Sequence, residues 1–583
     1  METRTRHRKK IVISFFVLFI ILIGLSVRVG YLMIFKAEEY GAKAQEIHER
    51  ERKIKALRGR ILDRNGELLA ANKTVCTISV VHNQITDPER VIDVLCKELG
   101  LGEEEVRKRV EKYSSIEKIK TNVEKEIGDR IREYDLDGVK VDEDYKRFYV
   151  HDSIASKVIG FTGSDNQGIV GLEVAYDEYL QGKNGLILTV TDAKGIELDG
   201  TKENRLEPVA GNDLVTSLDI NIQTYATQLA YRTLEAKGAK SVSIIVMNPQ
   251  NGEILAMANV PEYNLNDPFT LNYQVSEGVS DKEYQNLLNQ MWRNSCINDT
   301  YEPGSTFKMI TATAALETGA VTLDTSYSCP GFKIVEDRRI RCHKTTGHGN
   351  QTFAQTVMNS CNPAFIEWGL RVGVDNFYQY MEKMGLMEKT GIDLPGEAST
   401  IVHKKENVGL VELATMSFGQ SFQITPMQLL RATSAIINGG TLITPHFGVK
   451  TIDADGNENI LMYETKENAI NKSTCDTMKG ILHMVVSEGG GKNAKIEGYA
   501  IGGKTATSQK LPRSEHKYIA SFIGFAPVDD PQVIAMCIID EPTGIYYGGT
   551  IAAPVIKELF ENILPYLGIE QSVVEDGGNN EEN

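Results

Sequence analysis

Residues 11–27 form an apolar run broken only by Ser14, Gly24 and Ser26, and Val29–Phe35 continues it past Arg28. At ~1.5 Å per residue, a helix through this stretch can span a ~30 Å hydrocarbon core, with Arg28 snorkelling near its far side. Arg4, Arg6, Arg8, Lys9 and Lys10 precede the run. The excess of positive charge places residues 1–10 in the cytoplasm, residues 11–35 across the membrane and the rest outside. A cleaved signal peptide would have a shorter apolar region followed by a small-x-small cleavage site, and neither fits, so an uncleaved anchor is expected. The whole chain has 583 residues, 41% hydrophobic and 24% charged, which suits two or more globular domains. A net charge of −16 argues against nucleic acid as a partner.

The chemistry-bearing feature is Ser305-Thr306-Phe307-Lys308, directly after Glu302-Pro303-Gly304. A serine and a lysine three apart on a helix share one face. Pro303 and Gly304 suit a helix start, so Ser305 is expected in the first turn. There unpaired N–H groups and the macrodipole favour developing negative charge. A hydroxyl beside an amine is a nucleophile–base pair and points to acyl transfer through a serine ester. S-x-x-K alone is a weak signal, since Ser115…Lys118 and Ser514…Lys517 also fit. The first reads as a solvated charged face and the second as a loop.

S-x-x-K combined with S-D-N and K-T-G is the signature of penicillin-binding proteins and class A β-lactamases. The literal Ser164-Asp165-Asn166 precedes the serine–lysine pair in a Gly-rich stretch and reads as a turn. Ser360-Cys361-Asn362 is the better match. Pro363 after it is expected to limit regular helix, leaving a loop that aims Ser360 and Asn362 into a cleft. The literal Lys389-Thr390-Gly391 follows a helix-like run, Phe377–Met387, and reads as a helix stop. Lys504-Thr505-Ala506-Thr507, after Gly502-Gly503 and before the strand-like Tyr518–Gly524, is the more convincing third motif. Lys504 would face the substrate carboxylate and Thr505 would bind it. The backbone N–H of Thr507 would complete an oxyanion hole with that of Ser305. Ala506 departs from the glycine of the pattern and adds one methyl beside the reacting carbonyl.

With these motifs the chain resembles the class B penicillin-binding proteins, the monofunctional peptidoglycan transpeptidases, over roughly residues 11–565. Arg58-Gly59-Arg60-Ile61-Leu62-Asp63-Arg64-Asn65-Gly66 resembles the family block just outside the membrane. Arg147-Phe148-Tyr149 and Gly168-Ile169-Val170-Gly171-Leu172-Glu173 resemble a second. Asn248-Pro249, Gly252–Met257, Ser417-Phe418-Gly419-Gln420, Thr425-Pro426 and Gly548-Gly549 match the catalytic domain. Cys342 and Cys361 are similar to cysteines of spore-cortex members. The resemblance implies an α+β fold, an antiparallel transpeptidase sheet flanked by helices on a β-rich pedestal. It also implies that Lys308 deprotonates Ser305 for attack on a D-Ala-D-Ala stem peptide, with Ser360 and Lys504 relaying the proton. β-Lactams would acylate Ser305. No metal or organic cofactor is expected. Partners would be peptidoglycan stem peptides, β-lactams, membrane lipid and a membrane-embedded glycan polymerase of the shape-elongation-division-sporulation type. A serine β-lactamase, a bifunctional synthase and a catalytically weak scaffold are the alternatives; Ala506 favours the last.

The expected organisation is an anchor, a pedestal over 36–205, a transpeptidase domain over 206–567 and an acidic disordered tail over 568–583. No C-terminal penicillin-sensor repeat is expected after it. The pedestal opens on a charged, helix-like stalk (Glu38 to Arg52), and 88–136 is a charge-dense sub-domain. Eight cysteines on an oxidising side raise the question of pairing. In the cluster Cys329, Cys342, His343, His348 and Cys361, one reading is a Cys342–Cys361 disulfide acting as a redox switch. A zinc site is the weaker reading, because the spacings match no C-x-x-C finger. Ordinary loop cysteines are the third.

Overall fold

The computed structural model describes residues 2–37, 49–114, 116–190, 204–275 and 278–571. Stalk residues 38–48, Ser115 and the acidic residues of the tail (Glu575, Asp576, Glu581, Glu582) lie outside these. Glu2–Ile34 is a single helix, and its Lys9–Ile34 stretch, 26 residues with mean hydropathy 2.7, is long and apolar enough to cross a membrane.

The chain divides into two compact units, and it crosses between them more than once. One comprises residues 1–57, 73–146 and 182–210; the other comprises 58–72, 147–181 and 211–583. In the first unit, Glu49–Ile54 pairs antiparallel with Gly185–Val190. This corrects the expected helical stalk at Glu49, Arg50, Glu51 and Arg52. Strictly alternating charges carry no apolar period, and pairing with Gly185–Val190 decides the conformation instead. The charge-dense segment folds as helices Pro88–Leu99, Glu103–Val110 and Lys125–Glu133 beside strand Glu117–Glu124. Its core is small and apolar, including Cys76, Ile78, Leu95, Val106 and Ile131. The charges face out because only about every third or fourth residue of each helix is needed inside.

The second unit is built on a five-stranded sheet in the order Ile254–Val260, Ser241–Met247, Val533–Asp540, Tyr518–Ala526, Gly502–Gln509. Every pairing is antiparallel. Side chains alternate between two cores, as a pleated strand buried on both faces requires. Val242, Ile244 and Val246 pack with helices Ile220–Lys237 and Ala553–Tyr566. Ile245 and Met247 pack on the other face with the residues of helices Lys308–Glu317, Pro426–Ile437 and Lys472–Ser487. The expected sheet with helices on both sides is thus present. Helix Lys308–Glu317 is buried from Lys308 through Ala315 and has no polar face, which fits a central position.

The two N-terminal motif blocks meet in this same unit. Arg58 is fully buried and its Nε donates to Glu173 Oε2 (2.7 Å), while Nη1 donates to Asp177 (2.6 Å). Arg147 Nε donates to the other Glu173 oxygen (2.6 Å), and Arg147 Nη1 donates to the Gly59 carbonyl (2.7 Å). The Tyr149 hydroxyl also donates to Glu173 (3.2 Å). Ser164-Asp165-Asn166 is a turn whose Asn166 carbonyl accepts from Arg58.

Candidate active site

Ser305 lies in a 3-10 turn, Gly304–Phe307, that runs straight into helix Lys308–Glu317. The turn is seated by close backbone contact. Gly304 N–H donates to the Gly419 carbonyl (2.9 Å), and Gly419, at φ 86°, leaves no room for a Cβ against Gly304 O. Gly304 itself has φ 57°, and a Cβ there would strike Ser508 Oγ on the edge strand. These contacts set Ser305, half-buried, beside strand Gly502–Gln509.

Lys308 is fully buried and its Nζ meets the Ser360 carbonyl (2.7 Å), Asn362 Oδ1 (2.6 Å) and Ser360 Oγ (3.2 Å). Lys504 is equally buried, and its Nζ donates to Ser360 Oγ (3.0 Å) and to the Thr505 carbonyl (3.2 Å). Ser360 therefore bridges the two lysines. Its φ of 51° lies in the left-handed region that L side chains seldom occupy, which turns the carbonyl and the hydroxyl towards them. Burial lowers the Lys308 ammonium to about 7, against the pull of charge on Cys361 and Cys342. Burial, reinforced by Lys308, holds Lys504 well below the usual lysine range. Two cations this close in a dry site disfavour each other, so a neutral amine is favoured.

The Ser360–Asn362 loop differs from expectation in one respect. Asn362 and Pro363 open helix Asn362–Lys383 with Cys361 as its N-cap, so the proline starts the helix instead of limiting it. That helix absorbs the expected Phe377–Met387 run as far as Lys383 and breaks at Gly373 (φ 75°). Lys389 is exposed, and Thr390 and Gly391 donate backbone N–H groups to Glu397.

Gly503 explains part of the edge strand. A Cβ there would lie 2.6 Å from the Ile523 carbonyl and from the Phe522 ring. Lys504, Ala506 and Ser508 share the inward face and are buried; Thr505 and Thr507 alternate to the other side and are half-buried. The Ala506 methyl therefore sits on the lysine's face at 3% exposure. The Thr507 hydroxyl accepts from Gly548 N–H (3.0 Å), and a Cβ at Gly548 would collide with the Ala506 carbonyl. Sequence reasoning missed Ser508, which walls Gly304. It also missed Glu302, which accepts from Ser421 N–H (2.9 Å) and pairs with Arg513 (2.8 Å) just before the nucleophile turn.

Cys342 and Cys361 are both free thiols, as all eight cysteines are. A hydrogen bond between the two pulls Cys342 below the usual thiol range and, with burial, pushes Cys361 above it.

A fold of this order carrying two buried lysines bridged by a serine, one helical turn from another serine, defines a penicillin-binding transpeptidase domain. Residues 242–561 match the family described as "Penicillin binding protein transpeptidase domain", and residues 53–216 match "Penicillin-binding Protein dimerisation domain". The chain belongs to the class B penicillin-binding proteins. It is 40% identical over 574 residues to stage V sporulation protein D of Bacillus subtilis (strain 168), covering 95% of this chain and 86% of that one. It is 28% identical to a probable peptidoglycan D,D-transpeptidase, PenA, of Neisseria meningitidis, covering 89% and 86%. Among solved structures it resembles penicillin-binding protein 2X of Streptococcus thermophilus, with a TM-score of 0.73 and 22% identity, covering 92% of this chain and 83% of that one.

Proposed function

We propose that the protein is a membrane-anchored peptidoglycan D,D-transpeptidase that works through a Ser305 acyl-enzyme, in spore-cortex or septal wall synthesis. The observation that carries this reading is the bridge Lys308–Ser360–Lys504 beside the Ser305 turn. A neutral Lys308 has two N–H groups and one lone pair. The short contacts to the Ser360 carbonyl and Asn362 use the N–H groups and leave the lone pair for the Ser305 proton. Ser305 Oγ then attacks the penultimate D-Ala carbonyl, and the backbone N–H groups of Ser305 and Thr507 hold the oxyanion. The proton passes through Ser360, with Lys504 as its partner, to the departing D-Ala amine. A neighbouring stem-peptide amine attacks the ester, forms the cross-link and releases Ser305. Thr505 and Lys504 take the substrate carboxylate. The apolar helix Lys9–Ile34 supports an anchor, and the basic residues before it support an extracytoplasmic catalytic domain. Cross-linking needs glycan strands made beside it, which favours a membrane-embedded glycan polymerase as partner.

The test is covalent labelling of the full chain in detergent by a fluorescent penicillin, with Ser305→Ala beside it. Stable labelling that vanishes in the variant is expected. Label that is lost within seconds would point to a β-lactamase, and none at all would favour a scaffold disabled at Ala506.

A further inference from the structure

Four side chains outside the proton relay converge on one point. Cys329, Cys342, His348 and Cys361 bring one sulfur or ring nitrogen each within 4.8 Å of all the others. They come from four places in the chain. Cys329 ends strand Ser326–Cys329, Cys342 follows strand Arg338–Arg341, His348 precedes strand Gly349–Thr352 and Cys361 caps helix Asn362–Lys383. The three cysteines are buried and His348 is partly so.

We propose that these four residues bind one zinc ion as a structural site that fixes the Ser360–Asn362 segment. Three thiolates and one imidazole are a complete closed tetrahedral set for zinc. With zinc–sulfur near 2.3 Å and zinc–nitrogen near 2.0–2.1 Å, the S···N edge of such a tetrahedron is about 3.6 Å. Cys342 Sγ and His348 Nδ1 are 3.6 Å apart. The backbone is shaped for the approach. Gly331 (φ 94°) and Gly347 (φ 83°) pack backbone to backbone, and a Cβ on Gly347 would collide with the Cys329 carbonyl. Cys342 N–H donates to the Gly331 carbonyl (2.8 Å), so the two turns that carry Cys329 and His348 are tied to the third ligand. Gln351 supplies an outer partner. Its amide nitrogen is buried without a hydrogen-bond partner, a donor left over for a coordinated thiolate. His343 Nδ1 lies 3.9 Å from Cys342 Sγ, but its side chain is exposed and outside the set.

Binding exchanges three thiol protons, released to solvent, for one Zn²⁺, leaving a site of net charge −1 with neutral His348. No oxidant is needed, and the ion keeps Cys342 and Cys361 from joining as a disulfide. Because Cys361 lies between Ser360 and Asn362, the ion anchors by its sulfur the segment whose neighbours hold Lys308.

The test is elemental analysis of the full chain, purified in detergent from zinc-containing medium without chelator. About one zinc per chain is expected. Cys329→Ser and His348→Ala should each bring it to background, while Cys475→Ser, a buried cysteine elsewhere, should keep it. Wild-type protein exchanged into cobalt should show thiolate-to-metal charge transfer and the strong visible bands of a tetrahedral ion, a readout that needs no variant to fold. Background zinc in the wild type together with a Cys342–Cys361 disulfide or freely alkylated thiols at Cys329, Cys342 and Cys361 would overturn the proposal. So would full zinc in both ligand variants.

Discussion

At the residue scale, Lys308 carries the decisive electrostatics. An ordinary lysine is protonated at neutral pH and has no lone pair to offer. Here burial brings the ammonium to about 7, so the neutral base dominates above that pH and is lost as pH falls through it. Acylation of Ser305 by a β-lactam should therefore rise about tenfold per pH unit below neutrality and level off above it. Stopped-flow labelling of the full chain across pH 5 to 9 measures this, and a flat profile would refute Lys308 as the base. Lys308→Arg, charged at every accessible pH, should be inactive throughout. Ser305, Lys308, Ser360, Asn362 and Lys504 were all legible in the sequence, because each motif is local and its helix-start or strand context can be read from neighbours. The bridging role of Ser360 was less so. It depends on a left-handed backbone at a non-glycine residue, for which Ser360-Cys361-Asn362 gives no local sign.

At the element scale, the strand alternation on both faces of the sheet follows from runs such as Ser241–Met247, which is why the sheet was legible. The helix begun by Asn362-Pro363 was not, because proline after asparagine reads equally as a stop or as a first turn. The four proposed metal ligands were named in the sequence as one cluster with His343, but zinc ranked there below a disulfide, because members from three strand ends and one helix cap follow no spacing rule. The Arg58, Arg147 and Glu173 cluster is a third case. Its residues were noticed as motif members, but their convergence needs the fold. Glu173 is fully buried, and both carboxylate oxygens accept from guanidinium groups. Glu173→Gln would leave two buried cations facing a neutral amide whose own N–H groups point at donors. A loss of about 3–5 kcal/mol is expected, as for other broken buried pairs. Thermal unfolding should show a lower midpoint, while penicillin labelling of the protein still folded at low temperature stays at the wild-type rate. A slower rate at full folding would instead tie this cluster to catalysis.

At the scale of the whole molecule, the proposed placement of the catalytic domain rests on one apolar helix, long enough to cross a membrane. Lys9–Ile34 satisfies its own backbone groups internally, as any segment crossing hydrocarbon must. Orientation then rests on flanking charge, because Arg4, Arg6, Arg8, Lys9 and Lys10 resist transfer across the bilayer. The acidic remainder weighs little in that choice, since acidic residues contribute little to topology. A penicillin-reactive serine on the cytoplasmic side would meet no cross-linkable wall, so orientation and the proposed activity stand together. Alkaline phosphatase fused after residue 571, where the described chain ends, should be active in cells, because that enzyme folds only where disulfides form. Replacing the five basic residues with glutamine should lower that activity and raise the activity of a cytoplasmic reporter fused at the same point. Phosphatase inactivity in the wild type would place Ser305 in the cytoplasm and remove the peptidoglycan reading with it, whatever the geometry of the lysine bridge.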